Sequence, residues 1–272
     1  MRISLLLLSF LIIINGFSQD NSADTITNCR VDAKYFKELA TDFPSLIISP
    51  VKWSGGEWIA AGAVLGAGAF LYTQDKAIAE FWQNNRTEAL DEVDKYFFDP
   101  YGKMYYTAPL MGGLYLYGAF AKDNKSKRVA MDFVQATLYS SIVVTLIKHV
   151  GHRHRPYQTD PLNPYLWDGP STEDWHHTSF PSGHSITAFT FAAVVGTHYK
   201  ETVWVPVVAY SLAVLEGASR MYANKHWSSD VLIGGALGYA IGTFVVNQNH
   251  CKLKAMPIIS TNFTGIGFSY GL

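Results

Sequence analysis

The sequence predicts an all-α fold: a bundle of about six core helices with a short strand-like C-terminal tail. Three observations carry this. Six apolar segments recur, at about 57–73, 104–121, 128–149, 184–200, 203–219 and 228–247, each long enough for a helix and too long for an ordinary strand. Hydrophobic residues make up 49% of the chain and aromatics 14%, enough to fill a large core. Small residues return at every fourth position, at Gly62 and Gly66 and at Gly234, Gly238 and Gly242, which gives two helices smooth faces for close packing.

The elements follow in order. Residues 1–18 have a basic start (Arg2), an apolar run over 4–15 and small residues at Gly16 and Ser18, the pattern of a cleavable export signal. The apolar run is short for a membrane anchor. Export would place Cys29 and Cys251 in an oxidising compartment, where they are either a disulfide or two unrelated thiols. Residues 19–50 read as a polar leader and a short amphipathic helix over 31–42, then Pro44 and Pro50 around a brief apolar stretch. The helical-bundle domain is expected over 51–250. Within it, the charged stretch 75–99 predicts one or two short helices, and 156–181 a polar loop. The tail, 251–272, alternates Ile266, Phe268, Tyr270 and Leu272 with small residues, a strand pattern that needs a partner.

A formal charge of −1 leaves no electrostatic footprint for nucleic acid. No Gly-rich dinucleotide or nucleotide loop is present, so no cofactor is expected.

Three clusters carry chemistry: Lys148 with Arg155-Pro156; Pro181-Ser182-Gly183-His184; and Ser219-Arg220 with His226 and Asp230. Lys148 closes a helix that Pro156 cannot continue, and a helical path would set Lys148 and Arg155 on one face. The second cluster precedes an apolar helix, which puts free backbone N–H groups beside His184, an anion site. Gly183 allows close approach of a ligand to the backbone. His226 and Asp230 are four apart and neighbours on a helix, where a carboxylate fixes the imidazole tautomer. Arg220 adds a two-pronged phosphate donor. Three cations, a backbone cradle and two histidines are what phosphoryl transfer requires.

Those eleven motif positions match, in order and spacing, the three-part signature of the type 2 phosphatidic acid phosphatase and vanadium haloperoxidase superfamily, which the chain resembles over about 104–247. The resemblance implies a helical bundle and a phosphate site with no metal. It also implies that His226 attacks phosphorus, that Asp230 orients it, and that His184 protonates the leaving oxygen. Lys148, Arg155, Ser182, Gly183 and Arg220 would hold the phosphate. The implied activity is hydrolysis of a phosphate ester through a phosphohistidine, on a phosphorylated lipid or diphosphate. Alternatives are an acid phosphatase for soluble phosphomonoesters, transfer to an acceptor alcohol, vanadate-dependent halide oxidation and an inactive scaffold.

Other residues have plainer readings. His149, His152, His154, His176, His177, His198 and His250 are taken as structural. His149, His152 and His154 crowd one connection without nearby acidic or Cys companions, so a basic entrance shared with Arg153 is expected rather than a metal site. Ser182 lacks a nucleophile-elbow pattern. Trp227 walls the pocket or is core. Glu216, alone in an apolar segment, is expected to pair with Arg220 and steer it. The loop residues Asp160, Tyr165, Trp167, Asp168 and Trp175 are expected to shape substrate choice.

No segment is an uninterrupted apolar run of about eighteen. If the signal is cleaved and all six span, Lys148 faces the cytoplasm, away from an exported substrate. The expectation is therefore an envelope protein, periplasmic or lying on the membrane surface, with a multi-pass protein as the alternative.

Overall fold

The computed structural model describes residues 30–171 and 177–248, and the backbone of 253–260 and 263–270. The expected signal, Cys29, Cys251, Trp175, His176 and His250 lie outside the described residues.

Local chemistry sets the helix starts. Helix α1 (Ala33–Ile48) begins where the Asp32 side chain accepts from Tyr35 N at 3.0 Å, and it runs through Pro44 beyond the expected end. Helix α2 (Gly55–Asn84) opens with a capping box: Ser54 N donates to Glu57 Oε2 at 2.7 Å, and Glu57 N donates to Ser54 Oγ at 3.3 Å. Its length carries Asp75 and the start of the charged stretch into the bundle. That stretch continues as α3 (Glu88–Val93), a π turn (Asp94–Phe98) and α4 (Asp99–Gly102). Then come α5 (Thr107–Phe120), α6 (Asn124–Gly151), α7 (Gly183–His198), α8 (Trp204–Tyr222) and α9 (Ser228–Gln248). Helix α6 stops at His152, which adopts a left-handed φ of 45°. Lys148 and Arg155 therefore do not share one helix face, as a continued helix would have required.

The six expected segments become α2 and α5 to α9. Helix α7 packs against α6, α8 and α9, and α9 also lies against α2 and α6. The glycine row on α9 permits this. A Cβ on Gly234 would come within 2.7 Å of Ser182 O, and one on Gly242 within 2.7 Å of Ala193 Cβ. Gly62 and Gly66 do not play the expected part: both are surface positions with open space around them, and the α2 glycine that is buried is Gly68, against Ile233. Val129, Phe133, Ala136, Val194, Ile241 and Val245 fill the space between α6, α7 and α9. Helix α1 docks on α6 through polar contacts: Tyr35 OH donates to Met131 O at 3.0 Å and Tyr139 OH to Leu39 O at 2.9 Å.

The strand-like tail finds its partner within itself. Strands β1 (Leu253–Ser260) and β2 (Phe263–Tyr270) pair antiparallel, Leu253 opposite Tyr270.

Large apolar side chains remain on the outside, among them Ile59, Leu65, Phe70, Phe120, Val207 and Val214. Charged residues interrupt α6 in sequence, yet α6 and α9 are long and apolar enough to cross a membrane, each with about half of its most apolar window buried in the bundle (44% and 50%).

Candidate active site

The three clusters meet at one end of the bundle, where α6 and α8 end and α7 and α9 begin. The nucleophile candidate, His226, sits in the α8–α9 connection just before α9, almost fully buried. Its Nδ1 lies 2.8 Å from Ser179 O. A carbonyl oxygen can only accept, so Nδ1 carries the proton and Nε2 keeps its lone pair. Asp230 Oδ2 stands 3.8 Å from Nδ1, beyond hydrogen-bonding distance. Because His226 precedes the helix, it is not the one-turn neighbour of Asp230 that a continuous helix would make it. The tautomer is set by the backbone of Ser179. Burial pushes the His226 imidazole down to about 4, against the opposing pull of Asp230, and so keeps it neutral.

Asp230 has other work. It accepts from Ser179 Oγ at 2.5 Å, from Trp227 N at 3.0 Å and from Arg153 Nη1 at 2.5 Å. Arg153 is no entrance residue: it is wholly buried. Its Nη2 donates to Asp75 Oδ2 at 2.7 Å, its Nε donates to Pro164 O at 3.1 Å, and the Tyr72, Trp167 and Trp227 rings surround its guanidinium. Asp75 in turn accepts from Ser229 N at 3.0 Å and Ser228 Oγ at 2.6 Å. A relay from α2 through Arg153 thus fixes the first turn of α9. Nothing in the local pattern of Asp75 announces this, because its partner lies 78 residues away.

His184 is the second residue of α7. Its Nε2 is buried without a hydrogen-bond partner, 3.5 Å from Asp99 Oδ1. Burial, with Arg220 and His226 nearby, lowers it to about 3. Gly102 packs against this ring and against Glu216, where any side chain would collide. Gly183, by contrast, has open space where a Cβ would stand. Ser182 is buried and caps α7: its Oγ accepts from Ser185 N at 3.3 Å and from Ser185 Oγ at 2.8 Å.

The cations divide into two groups. Arg220, expected as an open fork, is held by Asp94 and by Asp99 Oδ1 (3.1 Å), both from the π turn and α4. Glu216 Oε1 lies 3.0 Å from Arg220 Nε, as expected, but neither carboxylate oxygen has an aligned hydrogen bond. Burial raises the Glu216 carboxyl to about 8 in spite of Arg220 beside it. Lys148 and Arg155, in contrast, have only neutral partners among the described residues. Lys148 Nζ donates to Thr178 O, and Arg155 Nη2 to Thr178 Oγ1 at 3.3 Å. Arg155 Nε is buried with no hydrogen-bond partner among the described residues. Two partly buried cations with no counter-ion among the described residues, beside a neutral imidazole and a helix N-terminus, are arranged to receive an anion.

The loop keeps its aromatics together. Trp167 Nε1 donates to Tyr72 OH at 3.0 Å, Tyr165 packs edge-on against Tyr72, and Trp227 Nε1 donates to His154 O at 2.8 Å.

Residues 129–253 match the model of the PAP2 superfamily. The lipid A 1-phosphatase of Porphyromonas gingivalis is 43% identical over 65 residues, which cover 24% of this chain and 15% of that protein. The undecaprenyl-diphosphatase of Sulfolobus acidocaldarius is 25% identical over 142 residues, 52% of this chain and 63% of that protein. The chain thus spans less than two thirds of either relative. A transmembrane PAP2 type phosphatidylglycerolphosphate phosphatase from Bacillus subtilis, of known crystal structure, is 23% identical with a TM-score of 0.47, covering 78% of this chain and 94% of that one. Over residues 129–253, a little under half of its length, the chain is similar to the PAP2 superfamily.

Proposed function

We propose that this protein is a phosphatase that hydrolyses a lipid phosphate or diphosphate through a phosphohistidine on His226. The observation that carries the proposal is the pair Lys148 and Arg155, two cations with only neutral partners among the described residues, set beside an imidazole whose Nε2 keeps its lone pair.

The chemistry follows from these positions. The phosphoryl oxygens lie between Lys148, Arg155 and the N–H groups at Gly183. His226 Nε2 attacks phosphorus, the P–N bond forms and the P–O ester bond breaks. Ser179 O holds Nδ1–H and bears part of the positive charge that develops on the ring. His184, protonated once the dianion is bound, gives its proton to the leaving oxygen. It then takes a proton from water as the water oxygen attacks phosphorus, the P–N bond breaks, and inorganic phosphate leaves with His226 restored. Arg220 adds positive charge behind His184, and Asp230 acts on His226 through Ser179. The residues themselves supply charge, nucleophile and acid, so the chemistry calls for no metal.

A lipid is favoured over a soluble monoester by the apolar side chains left on the outer faces of α2 and α8, a surface suited to a membrane. The names of the relatives, a lipid A phosphatase and an undecaprenyl-diphosphatase, point the same way. An envelope location, with the export signal at 1–18, follows as part of this reading.

The test is phosphate release by the purified protein in EDTA, from a short-chain phosphatidate, a polyprenyl diphosphate and a soluble aryl phosphate, together with trapping of labelled phosphate on the protein. The expected result is faster release from a lipid, and an acid-labile, base-stable phosphoprotein that His226→Ala does not form. Release that survives in His226→Ala would overturn the assignment.

A further inference from the structure

The 152–182 loop contains a cluster that the phosphate chemistry does not use. His154 Nε2 lies 3.0 Å from both Asp168 oxygens, and His177 Nδ1 makes a short contact with Asp168 Oδ2. The three ligand atoms all fall within 4.8 Å of one another. The His154 and His177 rings stack at 3.5 Å between centroids, 17° from parallel, so both nitrogens meet the one carboxylate. Ligand atoms around a tetrahedral zinc with bonds of about 2.0–2.1 Å sit about 3.3 Å apart; the His154–Asp168 spacing of 3.0 Å is near this, and the shorter His177–Asp168 contact would open to admit an ion. The cluster is partly open: the side chains are 18%, 50% and 30% exposed for His154, Asp168 and His177, so an ion can enter from solvent.

The backbone beneath the cluster is built rather than incidental. Three limbs run side by side: His154 N donates to Leu166 O at 3.1 Å, Asp168 N to His152 O at 3.2 Å, and Ser179 N to Arg153 O at 2.9 Å. Each limb contributes one ligand. His149 and His152 have other contacts, with His149 Nδ1 2.8 Å from Thr145 O and His152 Nδ1 3.1 Å from Gly169 O. The His-rich run at 149–154 therefore supplies one ligand, and the acidic companion missing nearby in sequence is Asp168, brought across by the loop.

We propose that His154, Asp168 and His177 bind a divalent cation of the zinc class at the rim of the phosphate pocket, where it clamps the limbs of the loop together. The ring proton now shared with Asp168 moves to the other ring nitrogen, and the freed lone pairs take the ion, with water completing the shell. The clamp touches the site through its neighbours. His154 precedes Arg155, and His177 precedes Thr178 and Ser179, which hold Lys148, Arg155 and His226. The ion is not placed in the reaction path.

The experiment is zinc binding by the EDTA-stripped full-length protein, followed by calorimetry, metal content and thermal unfolding, in wild type, Asp168→Asn, His177→Gln and His152→Gln. The proposal requires one zinc ion per chain in wild type and a higher unfolding temperature with zinc. It also requires binding at least about a hundredfold weaker in Asp168→Asn and His177→Gln, more than an outer-shell change costs, and unchanged in His152→Gln. No saturable zinc binding in wild type, or zinc bound equally well by both ligand variants, would show a hydrogen-bonded His–Asp–His cluster only. Because binding and unfolding are read without substrate, a negative result here leaves the phosphatase proposal standing, and an inactive protein does not decide this one.

Discussion

The two ends of α6 and α7 hold similar charged residues and treat them in opposite ways. At the end away from the site, Arg128 Nε contacts Asp132 Oδ1 at 2.8 Å and His198 Nε2 contacts Asp132 Oδ2 at 2.8 Å, one helical turn and one neighbouring helix closing on a single carboxylate. At the site end, Arg153 takes Asp75 and Asp230, while Arg220 takes Asp94 and Asp99 and lies against Glu216. Among the described residues, Lys148 and Arg155 meet only a carbonyl and a hydroxyl. Buried charge that is fully paired holds helices together; buried charge left without a counter-ion costs stability and serves a ligand.

The largest expected effect tests that contrast directly. Lys148→Met and Arg155→Met should each lower kcat/KM for phosphate release by about 100- to 1,000-fold, the usual loss when a group stabilising transition-state charge is removed. Thermal stability should stay level or rise. Asp132→Asn should do the reverse, lowering the unfolding temperature with kcat/KM within about threefold of wild type. If Lys148→Met unfolds the protein as readily as Asp132→Asn does, the two ends do not differ as described.

The next effect is on pH. His226 must be neutral to attack, and its folded-state value is lowered to about 4 by burial. A lowered base stays in its neutral form above that value, so the acid limb that belongs to His226 should lie near pH 4, while His184, which must be protonated to act, sets a separate alkaline limb. An acid limb near pH 6.5, the ordinary value for histidine, would mean that the ring is solvated in the working enzyme.

The Arg153 relay should give a smaller change in rate and a large one in stability. Asp75→Asn leaves one side of a buried guanidinium unpaired, which costs about 3–5 kcal/mol when such a pair is broken. It should be visible as a clear drop in unfolding temperature, with kcat down about tenfold and KM little changed, because the first turn of α9 and not the phosphate cradle is disturbed. A rise in KM with kcat intact would instead place Asp75 in substrate binding.

What was legible in the sequence follows from where each signal lies. The six long helices and their glycine row on α9 were readable because burial repeats along a helix within a single segment. The three clusters were readable as groups because their internal spacings are short, and the fold brings them to one end of the bundle. The acidic partners were not: Asp75, Asp94 and Asp99 lie in a charged stretch where nothing local marks one carboxylate as buried. Arg153 looked like part of a basic entrance because it stands between two histidines, and only the path of the loop shows that it turns inward. The helical path from Lys148 to Arg155 failed at His152, whose left-handed backbone no composition rule would place there. Ser179 was invisible because it acts on His226 through its carbonyl, which every residue has.

Glu216 gives the smallest and sharpest contrast. Its partner was foreseen, since Arg220 lies one turn ahead, and the 3.0 Å contact is present. Yet both oxygens lack an aligned donor, and burial raises the carboxyl to about 8, so at neutral pH it is mostly the uncharged acid. Arg220 is then steered by Asp94 and Asp99 rather than by Glu216. Glu216→Gln, which keeps the shape and removes only the titration, should change kcat/KM by less than about threefold at pH 7, with a larger loss confined to alkaline pH, where the native carboxyl ionises and the glutamine cannot. Asp99→Asn, which removes a charge that Arg220 does use, should cost more. Equal losses from the two variants at pH 7 would show that Glu216 is ionised in place, and that three carboxylates share the one guanidinium.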